Sequence, residues 1–161
     1  MLVEMQIKGL MLDPITNVPI VILRDADGQR VLPIFVGPAE ANAIALQIEN
    51  LAPPRPMTHD LLRDVVGALG VTVSRVIISD LKASTYYAYL ELKQGSDVIL
   101  VDARPSDALA LAARTRAPIF VRQSVLEQEK SVDVSTDQAD QDRLQRWLES
   151  LDPDDMGKYK M

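Results

Sequence analysis

Three short polar clusters carry the side chains of this 161-residue sequence that could do acid–base, phosphate or metal chemistry. They are Gly37-Pro38-Ala39-Glu40-Ala41, Arg55-Pro56-Met57-Thr58-His59-Asp60 and Asp102-Ala103-Arg104-Pro105-Ser106-Asp107-Ala108. Each falls where a helix is expected to begin. Proline is favoured at the first helical position because the N–H it lacks would be unpaired there anyway, and Thr58 is a good N-cap. Helix starts present free backbone N–H groups and the positive end of the dipole, so they favour anions, phosphate among them. Glu40 and Asp107, helped by Asp102, are hard oxygen ligands suited to Mg²⁺ or Mn²⁺. Such an ion polarises a phosphate and activates water. Arg55 and Arg104 suit a phosphate clamp. His59, the single histidine, suits proton transfer near neutral pH. The same residues have a structural reading. First-turn carboxylates meet the helix dipole at about 0.3–1 kcal/mol each, Arg104 can pair with Asp107 or Asp60, and Thr58 can simply cap. No Walker loop, HExxH or GxSxG is present.

The elements that must position these clusters are legible as hydrophobic runs between turns. β-favouring runs cover 3–12, 18–24 and 30–36, with Asp25-Ala26-Asp27-Gly28 as a turn. Pro33 cannot donate a ladder hydrogen bond, so the third run is expected at an edge or a bulge. A helix over about 38–50 carries Ala41, Ile44, Ala45 and Ile48 on one face. The connector Ala52-Pro53-Pro54-Arg55-Pro56 keeps its residues out of the α region. A second helix, 59–69, bears Leu61, Leu62, Val65, Val66 and Leu69 and stops at Gly70. Strands then recur at 71–79, 85–92 and 97–103, a helix at 105–115, and a short strand at 117–121.

The second pass repeats the first. An offset of 67 positions aligns Met5/Thr72 through Leu46/Ala113 without a gap. It pairs Asp13/Asp80, Leu23/Leu90, Gly28/Gly95, Val31/Val98, Pro38/Pro105, Ala41/Ala108, Ala43/Ala110 and Ala45/Ala112, with Glu40 opposite Asp107. The expected fold is α+β: an internal duplication of a β-β-β-α unit, copies about 5–46 and 72–113, forming a mixed sheet packed with helices inside a domain 1–127. Two copies are too few for a solenoid, so each apolar helix face is expected against its sister. The equivalence places the Pro38 and Pro105 helix starts about a local axis. The second copy is chemically richer, with Asp102, Arg104 and Ser106 where the first has Phe35, Gly37 and Ala39. A site lopsided towards that copy is expected, with the 55–60 connector closing over it.

Composition bounds the function. The absence of cysteine excludes disulfides and thiolate metal sites. The N-terminal run has no basic n-region, and no uncharged run approaches the roughly 18 residues of a bilayer span. A cytoplasmic location is therefore expected. The net charge is −6. Residues 128–161 hold nine acidic against five basic groups and read as an acidic linker, 128–137, and a C-terminal helix, 138–151, striped with Leu144, Trp147, Leu148 and Leu151. The basic excess of a tight nucleic-acid binder is missing. A homodimer is expected, two-fold assemblies being commonest, with the Trp147 stripe as a candidate contact.

LPIFVGPAEANAI (32–44), RPMTHDLL (55–62), RVIISDLKASTYYAYLEL (75–92) and VDARPSDALALAARTRAPIFV (101–121) together closely resemble the bifunctional nuclease domain family over roughly residues 3–126. The tail RWLESLDPDDMGKY resembles the C-terminal extension of bacterial members. The resemblance implies a duplicated α+β domain acting as a nuclease on RNA or DNA. It supplies a substrate class and no established catalytic residues. The site expected on both grounds has Glu40 and Asp107 holding Mg²⁺ or Mn²⁺, Arg55 and Arg104 contacting nucleic acid, and His59, Asp60, Asp102 and Ser106 as catalytic groups. The alternative is a non-enzymatic binding or regulatory module in which these side chains are structural or form an oligomer interface.

Overall fold

Two hairpin turns set the frame. Gly28 and Gly95, equivalent in the repeat, adopt φ of 70° and 59°, a left-handed conformation that glycine enters without a Cβ clash. In the computed structural model, which describes residues 1–133, these turns join β2 (Pro19–Asp25) to β3 (Val31–Phe35) and β5 (Thr85–Gln94) to β6 (Asp97–Ala103). The remaining elements are β1 (Leu2–Leu12), α1 (Pro38–Ile48), α2 (Thr58–Ala68), β4 (Thr72–Lys82), α3 (Pro105–Thr115), β7 (Ile119–Arg122) and α4 (Gln123–Asp133). Among the described residues no helix is long and apolar enough to cross a membrane.

The seven strands form one mixed sheet in the order β3-β2-β1-β7-β4-β5-β6. Central β7 is antiparallel to β1 and parallel to β4. β1 and β4 therefore run in opposite directions on its two flanks, and each opens an antiparallel meander towards its own edge. A local two-fold axis normal to the sheet at β7 relates the two meanders. It also sets their helices, α1 and α3, side by side on one face. The fold is the α+β duplication expected, with the four helices packed on a mixed sheet.

Strand alternation supplies the core. Met5, Val21, Leu23 and Leu32 of the first copy, Val76, Ile78 and Leu90 of the second, and Val121 of β7 point to the helix face and are buried. Ala41, Ala43 and Ala45 and their equivalents Ala108, Ala110 and Ala112 are all buried as well. These small side chains let α1 and α3 approach closely. A lesser cluster of Met11, Ile20 and Ile22 lies on the sheet's other face. Pro33 sits on the outermost strand, β3, where its missing N–H costs no ladder bond.

Two features differ from the expectation. Helix α4 continues directly from β7 and runs into the stretch read as a linker; Val125 and Leu126 on it are buried against the main core. That apolar pair was too short a signal, in a polar segment, to mark a helix. On α2, Leu61, Leu62, Val65 and Leu69 remain exposed, and Val66 alone of the stripe packs on the core. The expected helix 138–151 with Trp147 lies outside the described residues.

Because Leu109 is fully buried between α3 and the sheet, Leu109→Ala is expected to lower the unfolding free energy by about 2–5 kcal/mol. Ile15→Ala, at a site 91% exposed, is expected to change it by less than about 0.5 kcal/mol. Urea titration followed by circular dichroism measures both.

Candidate functional site

Helices α1 and α3 begin alike. Proline occupies the first turn of each, after an extended residue: Gly37 (φ −70°, ψ 159°) and Arg104 (φ −69°, ψ 144°). An acid follows in each first turn, Glu40 and Asp107. The local axis brings these starts together, and Arg104 spans the gap. Its Nη2 donates to Glu40 Oε1 at 2.7 Å and its Nε donates to Asp107 Oδ2 at 3.0 Å, with Nη2 also in ion-pair range of Asp107 Oδ2 at 2.9 Å. The pairing with Glu40 first, and Asp107 next, raises the guanidinium pKa above its usual value. Gly37 matters here for space, since its φ is ordinary. A Cβ at Gly37 would collide with Glu40 Oε2, so glycine lets that carboxylate fold back towards Arg104.

The other oxygen of Asp107, Oδ1, lies 2.9 Å from His59 Nε2. Burial pushes the Asp107 pKa up, but hydrogen bonds from His59 and Arg104 and the guanidinium charge outweigh it, so the value falls below 3.8. An ionised carboxylate can only accept. Nε2 therefore carries the proton of a neutral His59, and Nδ1 is its basic nitrogen. Glu40, Arg104, Asp107 and His59 form one hydrogen-bonded chain reaching from the first copy through the second to α2. It borders a cavity of about 640 Å³ whose apolar walls include Met57, Leu62, Leu90 and Val101.

His59 reaches Asp107 because α2 is anchored by a residue the sequence reading did not single out. Arg114, on α3, is buried with its side chain 2% exposed. Its Nε donates to Asp60 Oδ1 at 2.7 Å, its Nη1 to Ala110 O at 2.9 Å and its Nη2 to Ala43 O at 2.9 Å. The second oxygen of Asp60 accepts the Met57 N–H at 3.0 Å. That bond, then the Arg114 pairing, hold the Asp60 pKa below 3.8 against desolvation. Asp60 thus caps α2 in the place expected for Thr58, which falls inside the helix. A lone arginine closing the alanine- and leucine-rich run 108–113 was the available signal.

Of the expected site residues, the fold brings Glu40, His59, Arg104 and Asp107 together, and Asp60 adjoins them through Arg114. The other three are placed elsewhere. Asp102, exposed on β6 opposite Tyr89, lies on the strand face opposite Val101; it contributes to the lining of the same cavity but stands outside the hydrogen-bonded chain. Ser106 is buried and lines a separate cleft with Gly37 and Tyr86. Arg55 is exposed in the connector and lines a third cleft with Arg63 and Arg114. Among the described residues no group of three or more His, Cys, Asp or Glu side chains is placed to hold a metal. Glu40 and Asp107 do converge, but Arg104 lies between them, paired with both, and offsets one of their two negative charges. As arranged, the residues do not fit a resident divalent ion.

Comparison with known proteins gives one consistent family. The model of the bifunctional nuclease domain matches residues 21–134. A Mycobacterium tuberculosis (strain ATCC 25618 / H37Rv) protein described as uncharacterized is 40% identical over 161 residues, covering 94% of this chain and 96% of its own. Bifunctional nuclease 2 of Oryza sativa subsp. japonica is 32% identical over 111 residues, covering 66% of this chain and 34% of that protein. Bifunctional nuclease 1 of Arabidopsis thaliana is 29% identical over 107 residues, covering 64% and 33% respectively.

Arg114→Ala leaves Asp60 buried without its cation, and is expected to cost about 3–5 kcal/mol of stability in denaturant titrations. The carboxylates also set an acid limit. Asp60 and Asp107 have folded pKa values below 3.8, so each favours the folded state above that pH and loses its contribution as pH falls through the lower folded value. Stability against pH should decline below about pH 4, and the decline should be shallower in Asp60→Asn.

Proposed function

This chain belongs to the bifunctional nuclease domain family, and from that premise we propose that it hydrolyses phosphodiester bonds of RNA or DNA at the Glu40–Arg104–Asp107–His59 chain. The observation that carries the reading is the convergence of an acid–histidine pair and an arginine at the border of a cavity of about 640 Å³, within the range of small-ligand sites. The apolar walls suit the faces of a nucleobase. Arg104, whose side chain is 67% exposed, suits the phosphate. In the proposed step His59 Nδ1 takes a proton from water as the water oxygen attacks phosphorus. The ester P–O bond breaks and the leaving oxygen takes a proton from solvent. Asp107 orients the ring and stabilises the imidazolium. Arg104 offsets charge on the non-bridging oxygens, and Glu40 positions Arg104. Mg²⁺ or Mn²⁺ would reach Glu40 and Asp107 only by displacing Arg104. Asp60 acts through Arg114 in holding α2, and Arg55, Asp102 and Ser106 take no part in the chemical step.

A second reading has one observation in its favour: Glu40, Arg104 and Asp107 satisfy one another, as members of a purely structural network would. In that case the chain is a non-enzymatic binding or regulatory module. The plant nucleases match over about a third of their length, so their whole activity does not transfer by similarity alone.

Labelled single-stranded RNA and DNA, incubated with nuclease-free protein in chelator, Mg²⁺ or Mn²⁺, separate the two readings. The parent is expected to cleave, and His59→Ala to lose about 100-fold or more in kcat, with Asp107→Asn comparably impaired and Ser106→Ala near the parent. Equal cleavage by parent and His59→Ala preparations would assign the activity to another site, and a parent that cleaves neither strand under any of these conditions would leave the module reading standing.

A further inference from the structure

The two outermost strands are equivalent in the repeat, yet their surroundings are not. On β3, Leu32 and Ile34 are buried, at 0% and 2% exposure; their counterparts on β6, Ile99 and Val101, are 42% and 39% exposed. Val98 and Leu100, on the other face of β6, are exposed too. The edges also differ in protection. β3 is five residues long and contains Pro33. β6 has seven residues in unbroken register with β5 and no proline, its charged residues being Asp97 and Asp102 on either side of the apolar run 98–101. A short strand and an edge proline are among the devices that normally keep an edge from pairing with another chain. Beside this bare edge lies the apolar stripe of α2: Leu62 and Val101 line the same cavity, and Gln94 at the end of β5 donates to Leu69 O at the C-terminal end of α2. Strand edge and helix stripe thus form one surface.

We propose that a second copy of this chain covers that surface, its β6 pairing antiparallel with β6 of the first across a two-fold axis at Leu100. The strand is self-complementary in that register. Leu100 faces Leu100, Ile99 faces Val101, Val98 faces Asp102 and Asp97 faces Ala103, so no two acids lie opposite one another, where like charges repel. An axis normal to the joined sheets leaves both α2 helices on one face, flanking the seam, so that their stripes meet. On the helix face, the side chains that the seam and the paired stripes would cover are exposed in the single chain: Ile99 42%, Val101 39%, Leu62 40%, Val65 47% and Leu69 66%. Each cavity then has the partner's α2 near its apolar wall. None of this depends on the chemistry proposed at His59.

Sedimentation velocity of the full chain at micromolar concentration tests the proposal. A mass of twice 17.8 kDa is expected, together with slow hydrogen exchange across β6. Leu100→Lys, which sets two ammonium groups against each other on the axis, and Val65→Lys on α2 are each expected to give a monomer with unchanged circular dichroism and fast exchange in β6. A monomeric parent overturns the proposal, and would leave residues 134–161 or another protein to cover the surface. Variants that fold and remain dimeric overturn it equally.

Discussion

One buried guanidinium holds the helical layer in place. Arg114 bonds the carbonyls of Ala43 and Ala110, which are equivalent positions of the two copies, and pairs with Asp60 of the intervening helix. A cation in so dry a place needs a counter-charge and full hydrogen bonding. Asp60 supplies the charge while also capping its own helix. The requirement fixes α2 against α3, whose Arg114 also reaches α1, and thereby delivers His59 to Asp107. The cavity, its polar border and the exposed stripe of α2 all follow from where that pairing docks the helix.

The same logic recurs at the helix starts. Arg104 bonds Glu40 and Asp107, again equivalent positions. Both bridging arginines come from the second copy, with Gly37 and Gln47 at the corresponding places in the first. A side chain near a local two-fold axis has no room for its symmetry mate. Duplication therefore creates pairs of positions at which one member must shrink or turn away. Gly37 is the clear instance, since even a methyl group there would displace Glu40. The asymmetry needed for a chemical site arises from the geometry of a symmetric fold.

Charge sets how such a site can meet a phosphate. Arg104 is held by two carboxylates, so its positive charge is largely spent within the protein, and the net charge of −6 gives no long-range attraction to nucleic acid. Recognition in the proposed function rests on short-range contacts: the exposed guanidinium and the apolar cavity beside it. The plant relatives are named as nucleases, and under the proposal made above a domain of net negative charge would act on a phosphodiester through these contacts alone.

Much was determined by the sequence alone. The spacing of turn glycines, helix-opening prolines and alternating apolar residues specified the β-β-β-α unit, its repetition and the helix starts that carry Glu40, His59, Arg104 and Asp107. These signals are local, set by backbone dihedrals and by the periods of strand and helix. Tertiary structure decided which polar residues meet. Ser106 and Asp107 are neighbours in sequence but face different clefts, because successive helix positions are turned by about 100°. Asp102 is turned away by the strand's two-residue period. Asp60 and Arg114, 54 positions apart, meet only once α2 and α3 are packed, and no local pattern in either segment records that distance. The exposure of α2 was equally hidden, because an apolar stripe specifies a face to be covered and leaves open what covers it.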